Sequence, residues 1–242
     1  MKLGIMQPYF FPYLGYISLI KHTNQFILFD SVQFIKHGWI ERNRILKQGG
    51  GWTYIAIPLE KHPRETLIKD IRIRKEPWQE KLIAQLTFYK RRAPYYAQTI
   101  DVVKEAIALD TDSITLLNYN VLKTICKYLS IPFNCQIFSK MNLQIETPHA
   151  PDEWALNICK VINGTTEYWN PPGGISFFDR KKYECSQIKL VFQQVELLPY
   201  SQYGLSPSFE AGLSIVDVMM FNSPQTICSM LDRFKLITEN TL

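Results

Sequence analysis

The chain has 242 residues, 46% apolar and 20% charged; it is long enough for a proper hydrophobic core, and its composition is that of an ordinary globular protein rather than a disordered one. A formal charge of +5 falls short of the dense basic stripe of a dedicated nucleic-acid binder and leaves phosphorylated small molecules as equally natural partners. No apolar run approaches the roughly 20 residues of a membrane span, and MKLGIMQPYF lacks the apolar stretch of a signal peptide, so a cytoplasmic protein without membrane insertion is expected.

Lys2 to Met6 is a short apolar run that ends at Gln7-Pro8 and suits a buried strand. Pro12 opens a stretch from Tyr13 to Lys21 with apolar residues on one helical face, and proline is tolerated in a first turn. Gln25 to Phe29 is a second strand, closed by Asp30-Ser31. These three make one βαβ unit, whose right-handed crossover sets its strands parallel. Phe34 to Leu46 is irregular and rich in Arg, Asn and Trp, and Gly49–Gly51 is a loop. Trp52 to Leu59 and Leu67 to Ile73 read as strands. Helices follow from Pro77 to about Tyr89, from Pro94 to Leu109, and from Ile114 to Leu129, the last capped by Asp112-Ser113. Cys135 to Phe138 is a strand, Asp152 to Ile162 a helix, Glu167 to Trp169 a strand and Asn170 to Gly174 a loop. Leu190 to Val195 is another strand, and Leu213 to Phe221 and Pro224 to Leu236 are helical. The alternation argues an α/β fold in a single domain, 1–242, with the helical middle, about 77–130, as an insertion or subdomain on the sheet.

Four constellations carry candidate chemistry. Gln7-Pro-Tyr-Phe-Phe-Pro-Tyr-Leu-Gly-Tyr16 joins the first strand to the first helix, where parallel sheets bind ligands and helix N-termini attract anions. Gln7, Tyr9, Tyr13 and Tyr16 are its polar members, and the alternative is an aromatic plug over the sheet. The second constellation, Gln33 to Arg44, follows the second strand and gathers Gln33, Lys36, His37, Trp39, Arg42, Asn43 and Arg44. Arginine forks suit phosphates, and Trp39 suits a base or sugar. Interleaved Phe34, Ile35 and Ile40 argue against a merely solvated basic face. The third is the loop with Asn170, Gly173 and Gly174, which could cradle a phosphate or simply turn the chain. The fourth, Gln202 with Tyr203 and the helical Asp217, reads as structural, Asp217 capping or pairing with a buried arginine. His37 and Asp30 are the candidates for proton transfer. Five cysteines without a CxxC pair, beside four histidines, offer no zinc spacing and predict reduced thiols and no metal.

The stretches MQPYFFPYLGYISLI and QFILFDSVQFIKHGWIERNRIL closely resemble the WbqC-like family. The resemblance continues through Trp52 to Pro58, Trp78, the Tyr168 loop, Gln202 and Leu213 to Asp217. Members occur in bacterial gene clusters for O-antigen and other surface polysaccharides, and an aminoacyl (glycyl) transfer to amino sugars has been suggested for them. The resemblance therefore implies an N-acyl or aminoacyl transferase acting on a nucleotide-linked amino sugar, with no cofactor. Its acyl donor would be a thioester, a carrier protein or an aminoacyl-tRNA, and a homodimer is admitted. The alternatives are a non-catalytic sugar-nucleotide-binding protein and an aminoacyl-tRNA-dependent transferase. His37-Gly38, Glu41 and the loop Trp169 to Ser176 depart from the family pattern. A fainter similarity, to nucleotidylyltransferases, implies a Rossmann-like, mostly parallel sheet. Tyr13-Leu-Gly-Tyr16 there replaces a His-x-Gly-His element.

Overall fold

The first two strands pair as the βαβ pattern requires. β1 (Lys2–Met6) and β2 (Gln25–Leu28) are parallel, with α1 (Leu14–His22) between them in the chain. The computed structural model, which describes residues 1–202 and 208–238, builds outward from this pair. β5 (Cys135–Ile137) adds in parallel to β2. On the other side of β1 lie β6 (Glu167–Asn170) and β7 (Lys189–Val195), also parallel. β8 (Phe234–Ile237) closes that edge antiparallel to β7. The sheet order is β5-β2-β1-β6-β7-β8. Numbered within the sheet alone, this is 3-2-1-4-5-6, a doubly wound order whose winding reverses between β1 and β6.

Period-two alternation splits the strands between two apolar layers. Phe26, Leu28, Trp169 and Val191 face one layer with α1, α7 (Ile215–Phe221) and α8 (Pro224–Leu231). Leu3, Ile5, Ile27, Tyr168, Leu190 and Phe192 face the other, with α5 (Glu153–Val161) and α6 (Arg180–Cys185). Beyond β2, the buried apolar residues from Phe34 to Ile131 join the first layer. This long excursion holds an antiparallel hairpin, β3 (Arg42–Leu46) with β4 (Trp52–Ala56). It continues through α2 (Trp78–Leu86), α3 (Tyr96–Ile107) and α4 (Ile114–Tyr128), whose cap is Ser113, accepting from the Leu116 N–H at 3.4 Å.

Four expectations change. The end of the segment Phe34 to Leu46, expected to be irregular, is the strand β3, antiparallel to β4. Leu67 to Ile73 is not a strand but a 3-10 turn over Ile68–Asp70 flanked by isolated bridges. Its buried residues, Ile68, Ile71 and Ile73, are spaced three and then two, so no single extended face exists. The helix from Pro224 stops at Leu231, and Phe234–Ile237 is instead an edge strand. The α6 helix was not foreseen, though the Asp179 carboxylate caps it by accepting from the Lys181 N–H at 3.0 Å. No helix among the described residues is long and apolar enough to cross a membrane.

Candidate functional site

The loop after β1 is built as a plug. Phe10 and Phe11 are fully buried, and the backbone carbonyls around them are tied to distant parts of the chain. The Asn118 side chain donates to Pro8 O at 2.8 Å and to Ile40 O at 2.9 Å. Asn43 donates to Phe10 O, Ser214 to Phe11 O, and the Ile215 N–H to Pro12 O. Tyr16 is buried and donates to Gln7 O at 2.8 Å. The Tyr13 ring lies over Gly15 so closely that a Cβ there would sit 2.4 Å from it. The ring thus covers the start of α1. At the neighbouring end of β6, the Asn170 side chain folds over Gly174, where a Cβ would meet it at 2.6 Å.

The second constellation opens onto a cavity instead. A space of about 1120 Å³ lies between the loop Gln33–Glu41, the hairpin end at Tyr54 and Ala56, and the segment Leu59–Arg64, with Arg74 beyond. Gln33 joins two of these walls by donating to Arg64 O at 2.9 Å, and the Phe34 N–H donates to Thr66 O. Lys36, Arg42, Lys61, Arg64 and Arg74 line it against only Glu41 and Glu60, with His37 and His62 at the wall. Arg74 pairs with Glu76, outside the lining. Among the described residues, Lys36, Arg42, Lys61 and Arg64 have no ion-pair partner. Cations concentrated in one concave space without anions create a field that draws anionic ligands.

Glu41 is the unusual member. It is only 7% exposed. Its Oε1 accepts from the His37 N–H at 2.5 Å, and its Oε2 is buried with no hydrogen-bond partner. Burial pushes its carboxyl above the usual range, against the opposing pull of its own and His37's backbone N–H groups and of Arg42. Arg42 stacks over the Tyr54 ring, 4.0 Å from its centroid, and donates to His37 O. The two side chains thus hold both ends of the His37 residue in a left-handed conformation, φ 64°, that a residue with a Cβ rarely adopts. Nothing in the local sequence pattern marks Glu41 beyond its place in the Gln33–Arg44 segment.

The remaining candidates lie elsewhere. Gln33, Lys36, His37 and Arg42 share the cavity; Gln7, Tyr9, Tyr13, Tyr16, Asn43, Asn170, Gly173 and Gly174 do not line it. Asp30 is buried, and its two oxygens accept from the Ser139 N–H at 3.0 Å and hydroxyl at 2.6 Å. Trp39 and Arg44 sit on the adjoining outer face of the hairpin. Asp217 meets no arginine. Its carboxylate accepts from Tyr89 at 2.6 Å, Tyr200 at 2.5 Å and Gln202 at 3.3 Å, and burial pushes its pKa up to about 6. Tyr203 falls outside the described residues. A smaller cleft of about 580 Å³ near His149 is lined by acids and bases that pair with one another, Glu146 with Lys160 and Glu153 with Lys182. Among the described residues no group of three or more His, Cys, Asp or Glu is placed to hold a metal.

A family model described as the WbqC-like protein family matches residues 7–228, a span that includes the whole cavity and Asp217. The chain belongs to this family. This WbqC-like chain is also similar to the uncharacterized protein Rv1507c of Mycobacterium tuberculosis (strain ATCC 25618 / H37Rv). The two are 28% identical over 229 residues, covering 91% of this chain and 93% of that protein. No solved structure matches the chain.

Proposed function

We propose that this WbqC-like protein is an N-acyl or aminoacyl transferase that binds a nucleotide-linked amino sugar in the cationic cavity. One observation carries the reading: a buried carboxyl with an unpartnered oxygen lies in the wall of a space where four lining cations, Lys36, Arg42, Lys61 and Arg64, have no ion-pair partner among the described residues. The cations suit the pyrophosphate. The carboxylate suits proton transfer, because burial raises its pKa and makes it a stronger base. Acyl transfer itself comes from the family resemblance. In the reaction the sugar amine attacks the acyl carbonyl and a C–N bond forms. Glu41 accepts the proton that the nitrogen loses. The bond to the donor's leaving group then breaks, and Glu41 returns the proton to that group. Arg42, which fixes the His37 loop, holds the phosphate end. The strand order supports a Rossmann-like fold of the nucleotide-binding kind.

The test is incubation with UDP- and dTDP-linked amino sugars and with thioester and aminoacyl-tRNA donors, followed by mass spectrometry for the acyl increment. Glu41→Gln is expected to lower kcat about 10²–10⁴-fold with KM for the sugar nucleotide within about threefold. Arg42→Ala is expected to raise that KM. Full turnover by Glu41→Gln removes the assignment of the base. Calorimetry that detects no sugar nucleotide removes the reading as a whole. Thermal stabilisation by the nucleotide without any turnover favours a non-catalytic binding protein.

A further inference from the structure

The outer face of the hairpin carries alternating cations and aromatic rings. Arg42 and Arg44 are two residues apart on β3 and share a face, and Trp52 and Tyr54 answer them across the register pairs Leu46↔Trp52 and Arg44↔Tyr54. Each guanidinium lies over the aromatic ring diagonal to it. Arg42 sits over Tyr54 at 4.0 Å, and Arg44 lies 5.3 Å from the Trp52 centroid and 5.4 Å from that of Trp39. The indoles stay open to solvent, Trp39 being 38% and Trp52 42% exposed. Neither arginine has an ion-pair partner among the described residues. The Arg44 guanidinium donates to Gly212 O at 3.2 Å. Two large indoles held by an unpaired cation are not the bland charged face that a hairpin normally turns to water.

The face is continuous with the cavity, because Arg42 and Tyr54 belong to both. We infer that Trp39, Arg44 and Trp52 form a stacking subsite for an unpaired nucleobase whose phosphates run into the cationic cavity. This rests on the proposed anion-binding role of that cavity. A base has a π-face for the indoles and ring carbonyls or nitrogens that accept from a guanidinium. A neutral sugar would instead call for carboxylate or amide partners beside the ring, and the polar group set against both indoles here is the Arg44 guanidinium. Stacking of this kind tolerates any base, so the subsite recognises the nucleotide class rather than one nucleobase.

Calorimetry on the full chain separates the two layers of the argument. The probes are pyrophosphate, ADP, UDP, uridine and a tetra-uridylate strand, each with wild type and with Trp52→Ala; Arg44→Lys serves as a second variant with its strand position unchanged. Both nucleoside diphosphates are expected to bind about tenfold tighter than pyrophosphate. Trp52→Ala is expected to raise their Kd about tenfold and to leave that of pyrophosphate within about twofold. Equal affinities of wild type for pyrophosphate and the diphosphates overturn the subsite, as does a Trp52→Ala variant that weakens all probes alike. Loss of pyrophosphate binding in wild type overturns the cavity's role, whereas uridine binding that depends on Trp52 keeps the stacking subsite. A tetra-uridylate strand that binds tighter than UDP, with the same dependence on Trp52, keeps the subsite and assigns its base to an RNA end. A strand no tighter than UDP assigns it to a free nucleotide.

Discussion

Replacing Asp217 by asparagine isolates one buried carboxyl. Asp217 is fully buried, and desolvation raises its folded pKa from 3.8 to about 6 despite three donors on its oxygens. A raised folded pKa means that the native state binds the proton more tightly than the unfolded chain does. The contribution to stability is therefore complete below about pH 4 and is lost as pH rises through 6. Integrated between pH 4.5 and 7.5, the loss is about 2 kcal/mol. Asparagine keeps the shape and does not titrate. Tyr89 also accepts from the Leu46 N–H and can still donate to the new side chain. The fixed cost of rearranging one hydrogen bond is about 1 kcal/mol. Urea unfolding of both proteins at pH 4.5, 5.5, 6.5 and 7.5 is the assay, since the difference between them cancels every other titrating group. The expected result is a difference that moves by about 2 kcal/mol in favour of asparagine as pH rises. A pH-independent difference refutes the reasoning. So does one that moves the other way, because the tyrosines would then hold the carboxylate in its ionised form.

Two further substitutions probe how the loop after β1 is held. Asn118→Ala removes the donor from the Pro8 and Ile40 carbonyls at once. It is expected to destabilise the fold by about 2–4 kcal/mol, read as a lower urea midpoint at unchanged slope. Gly15→Ala places a methyl 2.4 Å from the Tyr13 ring and is expected to cost about 1–2 kcal/mol, despite alanine's better helix propensity. Combined with Tyr13→Ser the cost should disappear, so a double-mutant cycle with no coupling counts against the close contact.

The βαβ start was legible because its strands are short apolar runs and its helix carries one clear apolar face. The long helices between Trp78 and Tyr128 were legible for the same reason. β8 was not, because an edge strand with two exposed central residues has no alternation to recognise. Within the site, the Gln33–Arg44 segment stood out as a dense mixture of bases and large apolar residues. The opposite wall did not. Lys61, Arg64 and Arg74 come from a segment whose only local signal is ordinary surface charge, and they reach the cavity through bridges such as Gln33 to Leu67. Glu41 was hidden for another reason. A glutamate among arginines looks like a salt-bridge partner, and only the fold reveals that its side chain is buried with one oxygen unpartnered.

The plug after β1 also constrains the order in which the chain assembles. Its carbonyls wait for donors at Asn43, Asn118, Ser214 and Ile215, up to 203 residues away. The central strand β1 likewise lacks one neighbour until residues 167–170 exist. A ribosome making this protein therefore releases this aromatic loop before any of the donors that complete its bonding. Contacts so distant close slowly, since the entropy of a large loop is lost before the bonds that reward it form. The loop is therefore fully bonded only once Ser214 and Ile215 have docked on Phe11 and Pro12.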